Sequence, residues 1–365
     1  MDFTPGDEQR AVAGLTAEIL GREADPDRVD ATGYDQQTWR ALAKAGLLAL
    51  ALPAELDGDG LGLTEVAAVL TEIGRTAAQV PALSTLALGL LPLTRLGSAR
   101  QRATLLPEVA AGEALLTAAL HEPSDPLTTA PRTSAVSDGA HWRLTGTKVA
   151  VPCAAASARV LVPAMTGSGP VVFLVDPEAD GVSMTATPSS SGAPEYTVRL
   201  TEATVDEADM LATANRGEAL GLLHAYAVAG ALAFGEGVLA GALALTTRHL
   251  SARKQFGRPL ATFQAVAQQI ADVYIAERTV HLAAVSVAWR ISTGRDPQPD
   301  LDVGAYWLAE EAPRALATCH HLHGGIGVDI TYPLHRYYGL TKDLGRFFGG
   351  PAARLGLLGE RVANG

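Results

Sequence analysis

The side chains best suited to chemistry stand in the string Arg253-Lys254-Gln255-Phe256-Gly257-Arg258-Pro259-Leu260, followed by Phe263-Gln264. Cations there complement the C-terminal dipole of a preceding helix, and Gly257 and Pro259 turn the chain. A guanidinium suits bidentate recognition of phosphate, and a phenyl ring beside it suits stacking. An ordinary helix-turn-helix corner carries the same residue types, so the string alone leaves both readings open. A second candidate is His321-Leu322-His323-Gly324-Gly325-Ile326-Gly327, then Tyr332-Pro333 and Arg336. Its glycines free the backbone to approach a phosphate, although glycines also simply end helices. Cys319, His320, His321 and His323 are metal-ligand types, but successive residues of one helix point about 100° apart and these four do not converge on one ion. No metal is expected.

Both strings lie in the last of three regions, and the whole reads as an α+β chain. Residues 1–115 form a helical domain: apolar residues recur at three- and four-residue spacing, as in 36–45 and 63–74, broken by Gly and Pro. Residues 53–60 read as a turn-rich connector and Thr64 as a helix N-cap, while Pro81 and Pro92 divide the next apolar region into short helices. Residues 116–209 form a β-barrel or sandwich domain. Its short runs at 142–149, 158–162, 171–175 and 196–200 are separated by Gly, Pro, Ser and Asp. Val171 to Val175 is continuous and reads as buried on both faces, whereas Tyr196, Val198 and Leu200 alternate with polar residues and face a core on one side. Residues 210–365 read as an antiparallel four-helix bundle, with helices at roughly 216–250, 263–293, 301–323 and 333–345 onward. In its second helix Phe263, Val266, Ala267, Ile270, Val273, Tyr274 and Glu277 fall on one stripe.

Composition narrows the partners. Lys+Arg 28 against Asp+Glu 39 gives −11, and no basic block is present, so the footprint of a nucleic-acid binder is missing. A hydrophobic share of 48% rules out disorder of the whole chain. Two cysteines, Cys153 and Cys319, are too few for a disulfide framework and fit a reducing cytosol as small buried apolar residues. The acidic N-terminus has no basic segment followed by an apolar stretch, so a cytoplasmic location is expected. Residues 225–245 are about as long as a membrane span. Glu236 in the middle, and small residues rather than Leu and Ile, suit a buried helix instead, so no membrane is expected.

The order helical domain, β domain, helical bundle, together with the two strings, resembles the acyl-CoA dehydrogenase family over essentially the whole chain. The resemblance implies FAD as cofactor and a tetramer in which Arg253, Gln255, Phe256, Phe263 and Gln264 reach across a subunit interface to the FAD of a neighbouring chain. The second string is similar to the family's Gln-x-x-Gly-Gly-x-Gly, whose backbone also lies against the partner's FAD. It places His321 where Gln is usual, followed by Gly324 and Gly325. In the β domain, Leu120-His121-Glu122-Pro123-Ser124-Asp125 resembles the family's flavin loop with its glycines lost. Thr145-Gly146-Thr147-Lys148 matches a Gly-x-Lys turn, but Val149-Ala150-Val151-Pro152 replaces the usual Trp-Ile-Thr, and Pro152 offers a flavin neither hydroxyl nor amide proton.

Family chemistry removes a proton α to a thioester carbonyl while hydride leaves the β carbon for the flavin, which requires a carboxylate in a dry pocket. By resemblance that Glu precedes a Gly where this chain reads Arg346-Phe347-Phe348-Gly349, or lies on the helix before the first string, where an ungapped count reaches Ala227. Residues 219–235 and 344–359 contain no Asp or Glu. Glu236 lies nine residues beyond Ala227, on the opposite helix face, and reads as a helix-surface or interface charge. The pattern resembles the non-catalytic subunit of bacterial heterotetramers containing two copies of each chain, often acting on steroid side-chain CoA thioesters. There a homologous acyl-CoA dehydrogenase subunit bears the base and binds most of the acyl-CoA. A self-sufficient homotetramer with an atypical base and a flavin-free scaffold are the alternatives.

Overall fold

The computed structural model describes residues 3–30, 32–211, 213 and 217–364. The N-terminal region is helical: α1 (Asp7–Glu23), α2 (Gln36–Lys44), α3 (Leu63–Thr76), α4 (Leu91–Leu96) and α5 (Ala99–Ala110). α2 buries Trp39 and Leu42, and α3 buries Val66, Val69, Leu70 and Ile73, as the helical spacing requires. The α3 cap differs from the expected Thr64. Gly62 is the N-cap, and Glu65 reaches back to accept its N–H at 3.0 Å. Extended Gly62 lets Glu65 close the turn, and Thr64 sits inside it. Nor does Pro92 break the helix: a π-helical stretch, Leu83–Leu90, runs straight into α4, with the Leu91 N–H donating to the Leu86 carbonyl. The wider ladder accommodates a residue that lacks an N–H.

Seven strands form one mixed sheet: β1 (Leu115–Ala118), β2 (Ser134–Ser137), β3 (His141–Pro152), β4 (Ser157–Thr166), β5 (Gly169–Val175), β6 (Val182–Thr187) and β7 (Glu195–Asp206). The order is β1-β4-β2-β3-β7-β6 with β5 also on β4; β1 and β2 run parallel to β4 and the other pairs are antiparallel. Residues 171–175 are buried throughout. The sheet curls about its own core of Leu144, Val160, Phe173 and Leu200, bringing the Trp142 ring of β3 to 5.6 Å from the Phe173 ring of β5.

The remainder comprises α6 (Glu218–Ala252), a short hairpin of β8 (Lys254–Gln255) and β9 (Arg258–Pro259), α7 (Gln264–Ser292), α8 (Gln298–His323), α9 (Leu334–Phe347) and α10 (Gly350–Asn364). The expected start of the first helix at 216 lies outside the described residues. Among the described residues five helices stand where four were expected, because Gly349 and Gly350 take φ of +77° and +80° and separate α9 from α10. α6 is long and apolar enough to cross a membrane, but most of it is buried by the chain's own elements. Its small residues serve close packing: a Cβ on Gly237 would stand 1.9 Å from the Thr71 carbonyl oxygen of α3. Of the expected stripe on α7, Val273 and Glu277 are buried, Phe263, Val266 and Ile270 are half-buried, and Ala267 and Tyr274 are exposed.

Candidate functional site

Both sequence strings arrive at one end of the bundle. α6 ends with the Arg253 N–H on the His249 carbonyl at 2.8 Å, and the chain enters a tight hairpin. Lys254 pairs with Pro259 and Gln255 with Arg258, leaving Phe256 and Gly257 as the loop. Both have positive φ, +51° and +78°, as a two-residue turn of this kind demands. For a bulky Phe that backbone is strained, and such strain concentrates at sites where it is used. Here it holds the Phe256 ring out at 93% exposure. The Arg258 guanidinium lies 4.1 Å over the Phe263 ring, and Phe256 meets Phe263 edge-on at 6.3 Å. Gln264 opens α7, exposed like Arg253 and Gln255. Among the described residues Arg253 has no carboxylate partner.

The second string joins the first through stacked imidazoles. His249, one turn before Arg253, lies 4.5 Å from the ring of His323, the last residue of α8. His323 Nδ1 is 2.7 Å from the Cys319 carbonyl, which assigns that nitrogen the proton and leaves Nε2 to accept from the Tyr332 hydroxyl at 3.0 Å. Burial lowers the His323 pKa, which favours this neutral form. Gly324 then turns the chain at φ +63°, and a Cβ on Gly324 or Gly325 would meet nothing within 4 Å, so bare backbone faces outward. His321 is exposed. The four candidate metal-ligand types diverge: Cys319 is buried, His320 packs edge-on to Tyr338, His321 faces out and His323 stacks on His249. The two strings thus meet through His249 and His323 at one end of the bundle, a corner that carries an exposed guanidinium, outward aromatic surface and bare glycine backbone. Such a corner can hold a phosphate and stack on a flat ring.

A separate seam runs between the sheet and α9. β3 shifts register between Lys148 and Val151, and Ala150 takes φ +52°. Lys148 is fully buried with Nζ 2.8 Å from Glu122 Oε1, and Glu122 also accepts from the N–H of Arg132 and from the N–H and hydroxyl of Thr133. Burial alone would raise the Glu122 pKa, yet Lys148 and the Thr133 donors hold it down to about 2. The neighbouring His121 accepts the Leu127 N–H at Nδ1, 3.1 Å, and burial pushes it down to about 3. Its ring meets Phe347 edge-on at 5.1 Å.

Two cavities flank this seam. The inner, of about 160 Å³, is walled by Tyr34, Val80, Leu83, Phe234 and Leu344; the outer, of about 640 Å³, by Ser124, Asp125, Thr187 and Gly349. His121, Ala150, Glu195 and Arg346 line both. One Arg346 nitrogen stands 2.7 Å from each Glu195 oxygen. Asp343, a turn earlier, accepts the N–H groups of Ser190 and Ser191 at 2.8 and 2.9 Å. Sequence reasoning missed Glu195, Asp343 and Arg346 as site residues; the only signal was an acidic residue opening the alternating strand at 196–200. Phe348 and Ala227, where the resemblance leads one to expect the base, are fully buried and line neither cavity. Glu236 corrects the surface reading: at 6% exposure it accepts from the Thr71 hydroxyl at 2.9 Å and lies 3.3 Å from His281 Nδ1, because α3 and α7 both pack over its face of α6. It too lines neither cavity.

Residues 6–113 match the acyl-CoA dehydrogenase N-terminal domain and residues 227–361 the acyl-CoA dehydrogenase C-terminal domain. The chain belongs to the acyl-CoA dehydrogenase family. It is 47% identical to acyl-CoA dehydrogenase FadE28 of Mycobacterium tuberculosis (strain ATCC 25618 / H37Rv), covering 100% of this chain and 99% of that one. With FadE27 of the same organism it shares 34% identity over 100% and 99% of the two chains. Among solved structures, the Tcur3481-Tcur3483 steroid ACAD superposes with a TM-score of 0.92 at 37% identity, covering 98% of each chain. The ChsE4-ChsE5 complex of Mycobacterium tuberculosis gives 0.93 at 32% identity, covering 100% of each. FAD is the cofactor of the acyl-CoA dehydrogenase family.

Proposed function

We propose that this chain is the non-catalytic member of a heterotetrameric acyl-CoA dehydrogenase with two copies of each subunit. Its bundle corner completes the FAD site of a homologous subunit that carries the base, binds most of the acyl-CoA and performs the α,β-dehydrogenation. The observation that carries this reading is the contrast between the two sites. At the corner, Arg253, Gln255, Phe256, Gln264, His321, Gly324 and Gly325 are exposed, Phe263 is half-buried under the Arg258 guanidinium, and Arg253 has no carboxylate partner among the described residues. The cleft is crossed by an ion pair and has no carboxylate at either base position.

The two sites also differ in their fit to FAD. At the corner, Arg253 and the Gly324-Gly325 backbone would hold phosphate oxygens, and Phe256 would cover a flat ring. In the chain's own cleft Pro152 donates nothing, Glu122 is committed to Lys148, and Arg346–Glu195 stands across the opening. When bound, FAD supplies the hydride acceptor; this chain's residues bind and orient it. The likeness to the Tcur3481-Tcur3483 steroid ACAD supports steroid side-chain CoA thioesters as the substrate class.

Co-purification with a homologous dehydrogenase subunit, followed by flavin quantification, tests the reading. The chain alone should be colourless, and the complex yellow. A yellow homotetramer that bleaches with acyl-CoA would establish the self-sufficient alternative, and a complex that never holds FAD would establish a scaffold.

A further inference from the structure

Resting on that reading, we propose that the Arg346–Glu195 pair is a specificity latch that keeps a flavin ring out of this chain's own cleft. The pair is placed for the task. Glu195 opens β7 opposite Pro152 in the β3–β7 ladder, and the Cys153 N–H on the Pro194 carbonyl at 2.9 Å fixes that junction. The carboxylate therefore emerges directly opposite the strand segment that departs from the family pattern. Arg346 comes from the opposite wall, the last turn of α9, beside Phe347, whose ring is seated on His121. Asp343 holds the loop at Ser190 and Ser191 and stands 3.4 Å from the same guanidinium, so both walls are fixed before the pair forms.

The shared lining follows from this placement. His121, Ala150, Glu195 and Arg346 face both cavities, so the ion pair lies in the partition between them. A flat ring extending from the larger cavity into the smaller one meets the ion pair between them. To pass, it must part this pair: the exposed Arg346 can turn to water, but Glu195, whose side chain is 12% exposed, has no other cation partner among the described residues. Burial raises the Glu195 pKa, in keeping with a carboxylate drawn into the seam rather than left in solvent.

The test uses the co-purified complex and its Glu195→Gln and Glu195→Gln/Arg346→Gln variants. Each is dialysed against excess FAD, checked for tetramer mass by light scattering, and its flavin extracted and counted. The wild type should hold one flavin per partner chain, that is, in half of all subunits. The double variant should rise toward twice that content. A tetrameric double variant that stays at half occupancy overturns the latch and leaves the proposed function standing. Wild type already at full occupancy overturns both. Should the variants fail to assemble, FAD anisotropy titration of the chain alone decides: saturable binding by Glu195→Gln and none by wild type supports the latch, and no binding by either overturns it.

Discussion

Replacing Arg253 by Ala should weaken FAD binding in the complex without weakening the fold of this chain. Arg253 is exposed, lies just past the last residue of α6, and makes no ion pair among the described residues. In the isolated chain its loss should therefore stay within about 0.5 kcal/mol, the usual range for a surface substitution. For a chain of this size that is a melting shift of under about 2 °C. In the complex a charge-assisted contact to phosphate is worth about 1.5–3 kcal/mol, or roughly a 10- to 150-fold weaker Kd. The adjacent Lys254, equally exposed, should cost under about 1 kcal/mol, or less than about fivefold, when replaced by Ala. Flavin fluorescence titration of the apo-complex measures both, and thermal melting of the isolated chain supplies the control. Equal weakening in the two variants, or a melting loss in Arg253→Ala that accounts for the lost affinity, would refute the assignment of Arg253 to the flavin.

Four further outcomes follow from the buried charges and from the buried position 348. Lys148→Met should destabilise the chain by about 3–5 kcal/mol in urea unfolding, since it strands the buried Glu122 carboxylate. With the Glu122 pKa lowered from 4.5 to about 2, the wild type should also lose this pair's contribution as pH falls from about 4.5 toward 2. Burial and the nearby Glu236 raise the Glu277 pKa, so ionised Glu277 costs stability as pH rises through its folded value; Glu277→Gln should therefore raise the melting temperature more at pH 8 than at pH 5. Phe348→Glu should yield no acyl-CoA-dependent dye reduction, because position 348 is fully buried, lines neither cavity and would favour a protonated carboxyl.

What was legible in the sequence was what is local. The periodicity of residues 36–45 and 63–74, the continuous run at 171–175, and the glycine and arginine strings each specify their structure through neighbours a few residues away. The Phe256-Gly257 hairpin was partly legible, because Gly and Pro announce a turn, but the positive φ of Phe256 runs against ordinary preference. The rest depends on distant partners. Arg346 and Glu195 are 151 positions apart, so no window contains the pair that divides the cleft. Glu236 read as a helix-surface or interface charge because its acceptor role depends on Thr71 and His281, contributed by two other helices. Pro92 read as a break because a π-helical approach leaves no compositional mark. The candidate residues named by resemblance stand mostly exposed at the corner, where recognition chemistry would dictate residue type. Those missed lie in the seam, where placement rather than type matters.

The central claim is that this chain binds flavin for a partner and takes no part in proton abstraction. Rapid mixing of the purified complex with an acyl-CoA thioester, steroid side-chain esters included, and following the loss of flavin absorbance tests it most directly. Two preparations are compared: one with the partner's base carboxylate replaced by its amide, and one with Glu236→Gln in this chain. Bleaching should vanish in the first and proceed within about twofold of wild type in the second, since Glu236 lines neither cavity. Bleaching that survives loss of the partner's carboxylate, or that this chain shows alone with added FAD, would contradict the account.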